Sequence, residues 1–269
     1  MDPFIHRWQA LIVEAEAGVA LVRLNRPQSR NAMSYAMMRE LTDCARALKA
    51  RTDIHAVILT GAENYFTAGA DLADPERADE AGMTLLEKRQ RILVGPDMCD
   101  AWEALEQVTI CAIEGYCIGG GVAIAAACDF RIAGEGAHLR LPEVALGMNM
   151  SWHSLPRLVA LAGPARAKRL TIFCEALAAG DARDWGLVDE VTAKGGTLAL
   201  AQDWAAKIAA LPPVPVRMSK QAINEAALAH ARGAIFMDRD QFLLTSSSND
   251  FKEGVRAFLE KRDPEFKGD

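Results

Sequence analysis

The stretch Thr109–Ala133, TICAIEGYCIGGGVAIAAACDFRIA, constrains the fold more than any other part of the chain. The apolar run Ile110–Ile113 reads as a buried strand of the kind found in parallel sheets. Gly115 breaks it, and Gly119, Gly120 and Gly121 lead into VAIAAAC, a short apolar helix ending near Asp129. Strand resumes at Phe130–Ala133. A glycine-rich helix entry leaves backbone N–H groups unpaired at the positive end of the helix dipole. Such a point favours an anion, either a phosphate or an oxyanion formed during reaction. The helix is too apolar for the surface, so the point lies inside the molecule, which favours the oxyanion. A strand-to-helix turn that needs small residues for close packing fits the same sequence. GGG matches neither G-x-G-x-x-G nor G-x-x-x-x-G-K-[ST], which argues against a nucleotide loop.

The remaining chain supplies an α/β frame. Leu11–Glu14 and Val19–Leu24 read as an antiparallel pair around an Ala-Gly turn. Ser34 caps a helix predicted to run to about Ala50, and Ile54–Thr60 is a buried strand closed by Gly61. This strand–helix–strand order predicts a parallel sheet with crossover helices. Asn64–Leu72, NYFTAGADL, follows a strand end, where open α/β sheets place ligands. Asp74–Arg91 reads as a mobile loop leading into a helix ending near Gln107. A helix from Ser154 is punctuated by Pro156 and Pro164, and Asp181–Gly186 is a short helix before a strand at Leu187–Val191. Beyond about Leu198 the pattern is all helical (198–210, 216–231, 235–248 and 250–261), with PPVP at 212–215 as a rigid break. The domains expected are therefore a core at 1–197 and a helical oligomerisation region at 198–269.

Composition limits the partners. The 269 residues carry a net charge of −6, which gives no reason to expect nucleic acid or an acidic membrane. The six cysteines sit in apolar segments without a C-x-x-C, so they read as reduced core residues and not as a disulfide framework or zinc site. No apolar run is long enough to span a bilayer, and MDPFIHRWQA has no signal-peptide pattern. A cytoplasmic protein is expected.

Six segments in order resemble the crotonase family, the enoyl-CoA hydratase/isomerase superfamily: LNRPQSRNAMS (24–34), AVILTGAENYFTAGADL (56–72), EGYCIGGGVAIAAACDFRIA (114–133), LPEVALGM (141–148), DARDWGLVDEV (181–191) and DFKEGVRAFLEKRDPEF (250–266). The resemblance implies a spiral of ββα units with a C-terminal helical trimerisation region, giving a homotrimer or a hexamer made of two trimers. It implies an acyl-CoA thioester as substrate, no metal, and no cofactor other than the CoA of the substrate. It also implies that the backbone N–H groups of Ala70 and Gly120 stabilise a thioester enolate. Gly120→Pro should then remove one donor and distort the turn, and Gly119→Ala should be milder.

Family hydratases hold a water between two glutamates. The first position is Ala123 here, and the second is retained as Glu143. One base suffices to move a double bond, so the pattern favours an isomerase. A hydratase with a substitute acid/base, a thioester hydrolase and a weakly catalytic acyl-CoA-binding protein are the alternatives. Ser151-Trp152-His153-Ser154 replaces a segment that is glycine-rich in family hydratases. Trp152 is expected to narrow the acyl pocket, and His153 is either a second acid/base or a packed histidine. The other expected substrate contacts are Arg26, Ala68, Gly69, Asp71, Leu72 and Tyr116, with Phe258 and Lys261 arriving from the C-terminal helix. Arg30, which flanks the first loop, is as well read as a surface group. Glu114 reads as a solvated strand end.

Overall fold

A computed structural model describes residues 7–269, apart from the side chains of 78–81 and 232. The start of the chain that bears on a signal peptide, residues 1–6, lies outside the described residues. Four successive units share one pattern of two strands followed by helix. The first is β1 (Leu11–Glu16), β2 (Val19–Leu24) and α1 (Tyr35–Lys49). The second is β3 (Ala56–Thr60), β4 (Tyr65–Thr67), α2 (Leu85–Arg91) and α3 (Val94–Glu103). The third is β5 (Val108–Ile113), β6 (Tyr116–Ile118) and α4 (Gly120–Ala127), and the fourth is β7 (Phe130–Gly134), β8 (His138–Arg140) and α5 (Ser154–Phe173). Then come β9 (Leu177–Ala178), α6 (Ala179–Asp184), β10 (Glu190–Thr192), α7 (Thr197–Ala209), α8 (Pro213–Ala227), α9 (Ala231–Ile235), α10 (Asp238–Ser246) and α11 (Asn249–Glu260).

The first strand of each later unit joins one sheet and the second strand joins another. The large sheet runs β1-β2-β3-β5-β7-β10 and the small one β4-β6-β8-β9. β1 and β2 pair antiparallel, and the large sheet is parallel from β2 onward. β3 and β5 are buried along their whole length, and apart from Thr60 and Thr109 they are apolar throughout. One apolar core joins α1, α3, α4 and α5 to residues of both sheets. A second lies on the other face of the large sheet, where Ala201 and Ala205 of α7 meet Ile58, Ile110 and Ile132.

Several expectations shift. Asp74–Arg91 is not a loop leading into one helix. A 3₁₀ turn, Pro75–Gly82, precedes α2, which a Thr84–Glu87 capping box starts, and α3 is a separate helix. PPVP does not break a helix but opens α8, because proline is tolerated where the first-turn N–H groups have no helical partner. The last strand of the large sheet begins at Glu190, since Leu187 and Val188 donate their N–H groups to Ala182 O instead. The first helix of the 198–269 region, α7, belongs to the sheet's own core. Its start is held by Glu114, which is buried and not solvated: Oε1 accepts from Gly195 N (3.0 Å) and Thr197 Oγ1 (2.9 Å). The six cysteines are free and buried. Among the described residues no helix is long and apolar enough to cross a membrane.

Candidate active site

Two loops present the backbone donors. Gly119 adopts φ 52°, ψ −115°, a conformation open to glycine, and its N–H donates to Arg140 O at 2.8 Å. Gly119 O accepts from Val122 N and Ala123 N, so the turn closes on itself and leaves Gly120 N as the first helical donor. Among the described residues Gly120 N has no acceptor. On the other loop, Met33 N donates to Gly69 O (2.8 Å) and Asp71 N to Met33 O (3.0 Å). That bridge engages the neighbours of Ala70, so the Ala70 N–H faces away from Met33. Ala70 and Gly120 both line one cavity of about 410 Å³.

Side chains brace the Ala70 loop. Arg26 donates to Ala32 O and pairs with Asp71 Oδ2 at 2.9 Å. Thr67 Oγ1 donates to Asn31 O at 2.6 Å and accepts from Gly69 N at 3.1 Å. Ala68 N donates to Arg30 O. A Cβ on Gly69 would stand 2.9 Å from Ile118 O, so glycine lets this loop approach the second one.

Glu143 lies where the chain leaves β8, before the 3₁₀ turn Val144–Leu146. The residue is partly covered, but its Oε2 is buried without a hydrogen-bond partner. Burial pushes its carboxyl up to about 7, offset in small part by its own backbone N–H. A carboxylate with that affinity and one unpartnered oxygen is suited to take and return a proton near neutral pH. It lines the same cavity as Ala70 and Gly120. Ala123 is buried in the core and is not part of that lining.

Trp152 and His153 part company. Both have left-handed backbones, φ 62° and 54°. Trp152 faces the cavity with its ring between Gly95 and Gly120, where a Cβ on either glycine would overlap it. His153 lines a different pocket and pairs through Nδ1 with Asp100 Oδ2 at 2.9 Å. Burial pulls its imidazole down, but the Asp100 carboxylate outweighs that and leaves the pKa raised.

The family profile described as Enoyl-CoA hydratase/isomerase matches residues 14–269. The chain belongs to that family. The Escherichia coli protein named 2,3-dehydroadipyl-CoA hydratase is 33% identical over 96% of this chain and 98% of its own. The short-chain-enoyl-CoA hydratase of Clostridium acetobutylicum is 34% identical over 94% and 95%. Among solved structures, an enoyl-CoA hydratase from Mycobacterium avium subsp. paratuberculosis superposes with a TM-score of 0.86 at 27% identity, covering 96% of this chain and 99% of that one. The fold is the crotonase fold.

Within this enoyl-CoA hydratase/isomerase family frame, the sequence-selected residues scatter. Ala70, Leu72, Gly120, Glu143 and Trp152 line the cavity together. Arg26, Ala68, Gly69 and Asp71 shape the loop behind Ala70. Tyr116 stacks on Tyr65 at 5.7 Å and does not line the cavity. Phe258 and Lys261 are exposed at the end of α11, also outside the lining. Sequence reasoning missed the cationic side chains of the cavity: Arg77, Lys88, Arg91 and Lys252. Arg77 donates to Asp71 O at 2.9 Å, and Arg91 donates to Glu76 O. The signal for the first three was the charge density of 74–91, which reads as an ordinary solvated stretch until folding turns it to the site. Among the described residues no group of three potential ligand side chains is placed to hold a metal.

Proposed function

We propose that this enzyme moves a carbon–carbon double bond in an enoyl-CoA thioester. The observation that supports this reading is that Glu143 is the one carboxylate among the described residues lining the cavity that also holds Ala70 and Gly120. The thioester oxygen accepts from the two N–H groups, which stabilises negative charge on that oxygen; one such donor is commonly worth about 3–4 kcal/mol of barrier. Glu143 removes a proton from C2 of a β,γ-unsaturated thioester, giving a dienolate. It then returns the proton to C4, and the double bond ends between C2 and C3. One proton leaves and one is returned, with no net redox change. The cations Arg77, Lys88, Arg91 and Lys252 suit the phosphates of CoA.

Hydration is the second reading, favoured by the names of the relatives. It requires a second acid/base, and His153 lines another pocket while Ala123 offers only a methyl group. Incubation with β,γ- and α,β-enoyl-CoAs, read by mass spectrometry and ultraviolet absorbance, separates the two. An isomerase shifts the double bond at constant mass, a hydratase adds the mass of water, and a hydrolase releases CoA. Mass gain of water as the main outcome would overturn the isomerase reading.

The assembly proposed is a trimer or a pair of trimers. Val214, Met218 and Ile223 of α8, with Phe236 and Leu244 beyond it, leave large apolar side chains exposed. Phe258 and Lys261, outside their own chain's cavity, are then available to a neighbouring subunit's site. Light scattering that shows a monomer at micromolar concentration would refute this.

A further inference from the structure

The turn at Trp152–His153 is built at a conformational cost that proton transfer does not require. Two consecutive side chains with a Cβ adopt the left-handed region, which is unfavourable for both. Bonds from three helices hold them there. Ser151 Oγ donates to Asp238 Oδ2 at 2.6 Å from α10, and His153 pairs with Asp100 of α3. Arg157 of α5 donates to His153 O at 3.0 Å and to Trp152 O at 3.3 Å. The result is an indole laid in a slot that exists only because residues 95 and 120 are both glycine.

That slot places the ring against the residue whose N–H is to receive the thioester oxygen. An acyl chain leaving the carbonyl carbon on that side therefore meets the indole within a few bonds. Gly95 and Gly120 back the ring closely, so it has no room to retreat. We infer that Trp152 is the end wall of the acyl pocket and limits the enzyme to short acyl chains. This rests on the thioester carbonyl binding at Ala70 and Gly120, as proposed above. A ring that only filled the core would stabilise the fold without grading substrates by length.

The test uses saturated acyl-CoAs, which have no double bond to move, so binding is read apart from chemistry. Calorimetric titration of the native protein with acetyl-, butanoyl-, octanoyl- and dodecanoyl-CoA should show affinity dropping at octanoyl. In Trp152→Ala the octanoyl-to-butanoyl affinity ratio should rise about tenfold or more, a size typical of pocket walls that exclude extra methylenes. Free CoA should bind both proteins equally. Trp152→Phe, with a smaller ring, should shift the same ratio by less, and it supplies the test if the alanine variant does not fold. An unchanged ratio in a folded variant would overturn the inference and leave the functional reading standing. Failure of the native protein to bind CoA or any of these thioesters would overturn both.

Discussion

The Glu143 carboxylate rests against the bare face of Gly119: a Cβ added to that glycine would stand 2.6 Å from Oε1. The same glycine has φ 52° and ψ −115°, so its lack of a side chain serves two ends. It permits the turn that frees Gly120 N, and it leaves room for the Glu143 carboxylate beside it.

Gly119→Ala, which the sequence alone ranks as milder than Gly120→Pro, is therefore expected to be severe in its own right. The backbone strain alone is worth about 1–3 kcal/mol. The added methyl also displaces Glu143, so kcat/KM should fall by about a hundredfold or more, in the range seen when a catalytic geometry is lost. Thermal unfolding and steady-state kinetics read the two effects separately. A variant with native activity would show that Glu143 does not need its present position.

Glu143→Gln should reduce turnover by about 10² to 10⁴ while acyl-CoA binding is retained, because the amide keeps the shape and cannot accept the proton. In the native enzyme the base must be ionised. Activity should rise with pH through about 7, the value to which burial pushes this carboxyl. A rate that is flat from pH 5 to 9 would remove Glu143 from the role.

The same residue should make stability depend on pH. Its folded pKa of about 7 lies above the ordinary value of 4.5, so between these the folded state holds the extra proton. Stability therefore falls as pH rises from 4.5 to 7. Glu143→Gln removes that loss and should stabilise the protein at pH 8 by up to roughly 3 kcal/mol, with little effect near pH 4. Denaturant midpoints at the two pH values measure it. Equal shifts at both would mean the carboxylate is not held desolvated.

His153→Ala should leave the chemistry within a few-fold, since the imidazole faces another pocket, and should act on stability instead. The folded pKa is raised by Asp100, so the pair's contribution is complete below the ordinary histidine range and is lost as pH rises through the folded pKa. The alanine variant should lose more stability at pH 5 than at pH 9. Abolished turnover with unchanged stability would make His153 the acid/base and restore the hydratase reading.

Much of this was legible in the chain itself. The hairpin, α1 with its Ser34 cap, β3, β5 and α4 follow from local patterns: turn residues, an N-cap, apolar runs, a glycine cluster. The candidates Ala70, Gly120 and Glu143 came from the GAD, GGG and LPE segments, which are short and contiguous. The sequence determined the glycine-rich helix entry at Gly119–Gly121, a local property, while the roles of Ala70 and Gly120 as donors and of Glu143 as base are what the crotonase resemblance of those segments implies. Only the tertiary structure decided which of two adjacent residues, Trp152 or His153, faces the cavity. Consecutive left-handed residues point their side chains in directions no periodicity predicts, and Asp100 and Asp238, which help to hold them, lie on α3 and α10, far away along the chain. The same holds for Glu114 and for the cations of 77–91. Whether a charged side chain is solvated, caps a distant helix or lines a cleft depends on what the fold packs against it, and that information is not local.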